Sequence, residues 1–210
     1  MLRGGDRPGP ALTEQLVRNW GNEAWSANSC YLIAMLEWLP RTSGAIVECG
    51  SGLSTLVLAV AAALCGRVLY SFEHDEQWAE RILQQLPSSA RDYVQLNLTP
   101  LRSYGDFDWY SLENLPLPDS IGFVVCDGPP GSTRGGRYGL GAVLGSRMAP
   151  QCTLLLDDTQ RDAERTVLSR WCAELGGSVI HRADSYAIVR LNGEDLGTSP
   201  GAASASARAS

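Results

Sequence analysis

Between residues 45 and 64 an apolar run, Ala45-Ile46-Val47, ends in Glu48 and passes at once into Cys49-Gly50-Ser51-Gly52, after which Leu53 to Leu64 reads as a helix. A buried strand feeding a tight glycine turn and then a helix is how an open α/β sheet builds a nucleotide-type pocket. The acid at the end of the strand narrows the choice of ligand. A pyrophosphate at this turn would meet Glu48 as a like charge, whereas a ligand bearing ammonium and sulfonium groups would be attracted to it. The third glycine of the dinucleotide fingerprint is also missing, because Thr55 stands in its place.

The rest of the chain continues the alternation. Further strands are predicted at Arg67–Glu73, Tyr93–Thr99, Ile121–Asp127 and Cys152–Asp157, with helices at about 53–65, 75–86, 135–148 and 161–175 between them. Such a pattern predicts a parallel, doubly wound sheet with helices on both faces. Two short strands, Ser178–His181 and Tyr186–Leu191, flank Arg182-Ala183-Asp184-Ser185 and predict an antiparallel hairpin at the end of the sheet. Two helices are expected first. One has Leu12, Leu16, Val17 and Trp20 on a single face, and the other runs from about Ala24 to Leu39, where Pro40 stops it. The chain therefore divides into an N-terminal helical cap (1–42), one α/β domain (43–191) and a Gly/Ala/Ser-rich tail (192–210) that is expected to be disordered.

Composition removes several chemistries. All seventeen basic residues are arginine, so there is no P-loop lysine, Schiff-base lysine or lysine general base. Only His74 and His181 are present, which excludes a multi-histidine metal centre. A net charge of −6 argues against nucleic acid or an anionic membrane as the main partner. No apolar run is long enough to span a bilayer, and Met1–Pro10 lacks the apolar core of a secretory signal. Six cysteines without CxxC spacing read as buried free thiols, which fits a cytoplasmic protein.

With strand, glycine turn, helix and terminal hairpin in place, residues 45–191 resemble the class I S-adenosylmethionine-dependent methyltransferases. These have a Rossmann-like, mostly parallel seven-stranded sheet ending in an antiparallel hairpin. Glu48, Gly50 and Gly52 match that family's acidic-x-Gly-x-Gly motif. The resemblance implies that Glu48, Gly50, Ser51, Gly52 and Ser54 hold the amino-acid part of S-adenosylmethionine. It implies also that Glu73, in Ser71-Phe72-Glu73-His74-Asp75, accepts the ribose hydroxyls. His74 would line the pocket rim, and Asp75 would cap the following helix. Adenine is expected near Tyr104 to Tyr110.

Asp127, in Val124-Val125-Cys126-Asp127-Gly128-Pro129-Pro130-Gly131, ends a strand that flanks the topological switch point and should project into the cofactor crevice. Asp157 and Asp158 end the next strand. The three carboxylates should converge, and an oxygen-loving divalent cation would compensate them. The pattern looks like that of the metal-dependent small-molecule O-methyltransferases, which implies that Asp127, Asp157 and Asp158 hold Mg²⁺, with Asp127 and Asp157 catalytic. Where such enzymes carry a polar base or histidine, this chain has Pro129 and Pro130. The alternative without metal is that Asp158 caps the helix starting near Arg161 while Arg161 pairs with Asp157.

A second likeness, to the glucuronoxylan methyltransferases, rests on Asp127-Gly-Pro-Pro-Gly, Gly136-Arg137-Tyr138 and Asp157-Asp158-x-x-Arg161 with Glu164. It implies that Arg134, Arg137 and Tyr138 meet the substrate, with Arg134, Arg137 and Arg161 suited to an anionic group. Trp20, Trp25 and Tyr31 form either a substrate lid or, more ordinarily, packing. The expected activity is methylation of a hydroxyl on a small polar or sugar-like molecule in bacterial secondary metabolism, by a monomer or homodimer. The alternatives are N-methylation of a small natural-product scaffold and a non-catalytic binding module.

Overall fold

A computed structural model describes residues 9–21 and 27–192. In chain order its elements are α1 (Pro10–Trp20), α2 (Ser29–Trp38), β1 (Ala45–Cys49), α3 (Leu53–Cys65), β2 (Leu69–Glu73), α4 (Glu76–Gln85), β3 (Val94–Leu98), β4 (Leu101–Ser103), β5 (Asp108–Tyr110), β6 (Ile121–Cys126), α5 (Gly139–Leu144), β7 (Met148–Leu156), α6 (Asp162–Glu174), β8 (Gly177–Arg182) and β9 (Ala187–Leu191). Seven strands form one sheet in the order β3-β2-β1-β6-β7-β9-β8. Strands β3, β2, β1, β6 and β7 are mutually parallel, while β9 runs antiparallel to both β7 and β8. The expected doubly wound sheet and terminal hairpin are both present.

The chain winds outward from β1 to β3 and then returns to lay β6 on the other side of β1. The switch point is therefore at the carboxyl ends of β1 and β6, where a ligand crevice belongs. All six residues of β6 are buried, as a central parallel strand covered on both faces requires. Alternate side chains of the same strands build two cores. Val47, Val124 and Leu154 face Trp109, Leu140 and Trp171, and Ile46, Phe123, Val125 and Leu155 face Tyr31, Met35 and Leu58. Each such fully buried Leu, Ile or Phe contributes about 2 kcal/mol.

The leading helices belong to the second core. Trp20 is 7% exposed and meets Trp78 edge-on at 5.9 Å, with the Arg81 guanidinium over both rings, and Tyr31 is fully buried. Both are packing residues; Trp25 and the tail beyond Asn192 lie outside the described residues.

Some boundaries differ from expectation. The described helix α2 begins at Ser29, where Asn28 caps it by accepting from the Tyr31 amide. The single helix expected at 135–148 is split into a 3-10 turn at Gly136–Tyr138, α5, and another turn at Gly145–Arg147. Five glycines between 135 and 145 leave too little helix propensity for a continuous helix. The β4–β5 ribbon was not anticipated. Of the cysteines, Cys30 is exposed, and Cys65 and Cys172 are only partly covered.

Candidate methyl-transfer site

The glycine turn after β1 is held by the protein's own acids. Glu48 is fully buried, and its carboxylate accepts hydrogen bonds from the hydroxyls of Ser54, Thr55 and Ser71, each at 2.7 Å. It ties the first turn of α3 to β2. Burial pushes its pKa up to about 7, against the pull of those hydroxyls. Expected to meet the donor's ammonium, Glu48 is enclosed behind the turn, and so is Ser54, which points back to it.

Glu73, at the end of β2, is 4% exposed. One carboxylate oxygen accepts from the Ser51 amide at 3.0 Å and the Ser51 hydroxyl at 2.9 Å. The other accepts from the amides of His74 (2.7 Å) and Asp75 (2.9 Å), and His74 Nδ1 lies 2.9 Å from it. Burial opposes its charge, but the bonds from His74, Asp75 and Ser51 outweigh burial and hold the carboxyl below its ordinary value. The same contact raises the pKa of His74. On the far side, Trp78 Nε1 donates to the Ser51 carbonyl at 2.6 Å, and Asp75 caps α4 as expected.

Across the switch point, the amides of Asp127 and Gly128 both donate to the Cys49 carbonyl, at 3.0 and 2.7 Å. Gly50 has φ +85°, and a Cβ there would fall 2.8 Å from the Gly128 nitrogen; a Cβ on Gly128 would fall 2.6 Å from the Tyr110 hydroxyl. Bare backbone thus faces bare backbone at the crevice floor. Tyr110, from β5, is fully buried, and its hydroxyl has no hydrogen-bond partner among the described residues. Sequence reasoning bracketed this segment without singling out Tyr110.

Of the three acids expected to converge, the Asp127 and Asp158 carboxylates meet around a side chain, and Asp157 joins them through its backbone carbonyl. Arg137 is 2% exposed. Its Nη2 lies 2.9 Å from Asp127 Oδ1, 2.7 Å from Asp158 Oδ2 and 2.7 Å from the Asp127 carbonyl, while Nη1 donates to the Asp157 carbonyl at 2.7 Å. Arg161 Nη1 reaches the same Asp158 oxygen at 2.9 Å. Asp158 adopts φ +60°, a left-handed conformation that Asp tolerates better than most residues, at the bend where its carboxylate meets both guanidinium groups. Burial, together with the Asp158 charge, raises Asp127 to about 6; burial with the Asp127 and Asp158 charges raises Asp157 to about 7.

This arrangement does not fit the expected Mg²⁺. A hard cation needs free carboxylate oxygens at short range, and the oxygens of Asp127 and Asp158 that face each other are taken by Arg137. Asp157 Oδ1 accepts from the Asp158 amide at 2.9 Å. Among the described residues no three acidic, histidine or cysteine side chains are placed to hold an ion. Of the residues expected to meet substrate, Arg137 is enclosed among these acids. Tyr138 donates to Glu174 at 2.8 Å beneath the Arg170 guanidinium and so faces α6. Only Arg134 opens on a cleft. Glu164, 1% exposed with both oxygens unpartnered, adds to the negative field on Asp127.

That cleft has a volume of about 540 Å³ and lies between His74, after β2, and the Pro130–Arg134 loop, after β6, with Arg102, Ser103 and Asp108 on its wall. Arg134 is held there by Asp108 (2.6 Å) and Ser103 (2.7 Å).

A family model described as a methyltransferase domain matches residues 47–159. Solved structures share the fold at low identity. A Staphylococcus aureus protein assigned as a caffeoyl-CoA O-methyltransferase aligns with a TM-score of 0.59 at 13% identity, over 85% of this chain and 91% of its own. The O-methyltransferase TomG of Streptomyces achromogenes, involved in tomaymycin synthesis and solved with S-adenosylmethionine, aligns at 0.57 and 14%, over 91% and 93%. A precorrin-6y C5,15-methyltransferase from Geobacter metallireducens aligns at 0.56 and 14%, over 80% and 90%. A comparison with curated proteins gives no match. The family match over more than half of the chain, on the glycine turn and acid-tipped strands just described, places this protein in the methyltransferase-domain family, as a class I S-adenosylmethionine-dependent methyltransferase.

Proposed function

We propose that the enzyme methylates a hydroxyl of a small polar or sugar-like molecule, with the donor over the Gly50–Gly128 floor and the acceptor entering through the His74–Arg134 cleft. S-adenosylmethionine supplies, when bound, a methyl group on a cationic sulfur. The residues present suit it: bare backbone at Gly50 and Gly128, the unpartnered Tyr110 hydroxyl, and Glu73 with His74 at the neighbouring strand end. Glu48 acts from behind, keeping the turn in shape.

The observation that carries the hydroxyl reading is Asp127. It stands at the switch point with a pKa raised to about 6, and among the described residues its Oδ2 accepts no hydrogen bond. A carboxylate of near-neutral pKa suits a general base. In the proposed step its Oδ2 would take the acceptor's proton while the acceptor oxygen bonds to the methyl carbon and the methyl–sulfur bond breaks, the neutral thioether S-adenosylhomocysteine leaving. An amine acceptor needs less of this help. Arg134 on the cleft wall gives an anionic group on the acceptor a partner, and the charges of Asp158 and Glu164 help to keep the Asp127 pKa high. The small cleft and the net charge of −6 support a small molecule over a nucleic acid.

Calorimetry with S-adenosylhomocysteine tests the donor site. One-to-one binding is expected, weakened by about tenfold or more in Glu73→Gln, which removes the charge and sets an NH2 donor against the amides or hydroxyl that one carboxylate oxygen accepts from. No binding by the wild type overturns the reading. A panel of hydroxyl and amine acceptors then tests the chemistry, and turnover confined to amines overturns the role given to Asp127.

A further inference from the structure

The Asp127 and Asp158 carboxylates at the ends of β6 and β7 are gathered around a cation that the chain itself supplies. We propose that the Arg137 guanidinium, with Arg161 behind it, takes the place a divalent metal would hold, so that Asp127 is positioned for transfer without Mg²⁺. This rests on the methyl-transfer reading and goes past it, because it bears on which acceptors the enzyme accepts.

Position is the first argument. One nitrogen, Arg137 Nη2, is shared by Asp127 Oδ1 at 2.9 Å and Asp158 Oδ2 at 2.7 Å, so an ion bridging those oxygens would have to occupy the same point. The two terminal nitrogens also take the carbonyls of Asp127 and Asp157, which locks the guanidinium to both strand ends. Charge is the second. Arg137 and Arg161 bring two positive charges to the Asp127 and Asp158 carboxylates, as much compensation as a divalent ion would give.

Construction is the third. Arg137 follows Gly135 and Gly136, both at positive φ, and a Cβ on Gly135 would lie 2.5 Å from Phe107 Cβ. The loop can turn the arginine inward only with glycine there. An arginine that merely decorated the acceptor cleft would not need this, nor would it be 2% exposed.

A fixed guanidinium differs from a metal in what it can do. Its terminal nitrogens are already spent on protein oxygens, so it cannot ligate two neighbouring hydroxyls of an acceptor and acidify them. Proton removal is left to Asp127, and a single hydroxyl suffices. Arg137 is thus a positioning residue, and acceptors need not be vicinal diols.

The test uses Mn²⁺ as a spectroscopic probe of the full-length protein. Wild type should leave the electron paramagnetic signal of free Mn²⁺ unchanged, and its transfer activity should be the same in EDTA and in Mg²⁺. Arg137→Ala should lose transfer by about tenfold or more. It should also gain one Mn²⁺ site and recover transfer on addition of Mn²⁺ or free guanidinium, which a purely structural loss would not do. Stoichiometric Mn²⁺ binding by the wild type that Asp158→Asn abolishes overturns the proposal, as does loss of transfer in EDTA. So does an Arg137→Ala protein that folds but neither binds Mn²⁺ nor is rescued. If that variant does not fold, the two wild-type arms still decide. S-adenosylhomocysteine binding to the wild type, measured alongside, reports on the methyltransferase reading separately, since it needs neither Mn²⁺ nor Arg137.

Discussion

The Tyr110 hydroxyl is buried against Gly128 and, among the described residues, has nothing to donate to or accept from. Leaving such a group unpaired costs on the order of 1–3 kcal/mol, which a fold retains only where something else gains. Its ring packs 6.2 Å from Phe72 and 6.4 Å from His74, so removing the oxygen leaves the packing intact. Tyr110→Phe is therefore expected to raise the thermal midpoint of the free protein by about 2–4 °C while weakening S-adenosylhomocysteine binding several-fold. Differential scanning fluorimetry and calorimetry on the same sample check both signs. A variant with a lower midpoint and unchanged affinity would mean that the hydroxyl serves the fold instead of the ligand. Glu48 and Glu73 show the complementary arrangement, carboxylates so fully satisfied by the chain that they shape the turn before any ligand arrives.

Among the elements, the joint between β1 and β6 is least tolerant of change. Gly128→Ala would drive a methyl group into the Tyr110 hydroxyl and to 2.7 Å from Gly50 Cα, where backbone bonds hold Gly128 to Cys49 and Gly50 to Phe72. Overpacking of this kind costs about 1–3 kcal/mol. The expected outcome is a midpoint lower by several degrees and loss of donor binding, read by thermal unfolding and calorimetry; unchanged binding would show that the donor does not sit on this floor. The sheet was legible because β1, β6 and β7 are apolar runs ending in acids at each carboxyl end, and their periodicity needs no partner to be read. The β4–β5 ribbon was not, since three-residue strands carry no period and pair only because the 104–107 turn brings them together. The acids of the site were legible for the same reason as the strands that carry them. What they face was not. Arg137 reaches them from a glycine-rich loop ten residues after Asp127 and twenty before Asp157, a fold-back that spacing along the chain does not encode.

For the molecule as a whole, the buried acids set stability and activity against each other. Glu48, Asp127 and Asp157 have folded pKa values of about 7, 6 and 7, above ordinary carboxyl values of 4.5, 3.8 and 3.8. A group raised in this way favours the fold while protonated. Its contribution is complete below the unfolded value and is lost as pH rises through the folded one. His74, also raised, adds loss in the same direction above its ordinary 6.5, whereas Glu73, lowered, matters only in acid. Stability should therefore fall as pH rises from about 4 to about 7, with Glu48 alone accounting for about 1 kcal/mol, or roughly 2–4 °C, of the part above pH 6. Glu48→Gln, which keeps the shape and removes the titration, should flatten that part of the profile. Transfer should move the other way, since Asp127 must be ionised to accept a proton, and rise to a plateau as pH passes about 6. Urea unfolding and initial rates across the same buffers measure the two trends together. A midpoint that climbs toward pH 8, or a Glu48→Gln profile that tracks the wild type, would mean that these carboxyls are ionised throughout and that the burial argument is wrong. If the opposed slopes are found, the enzyme works fastest where its fold is weaker, because one carboxylate at the switch point must give up its proton before it can take another.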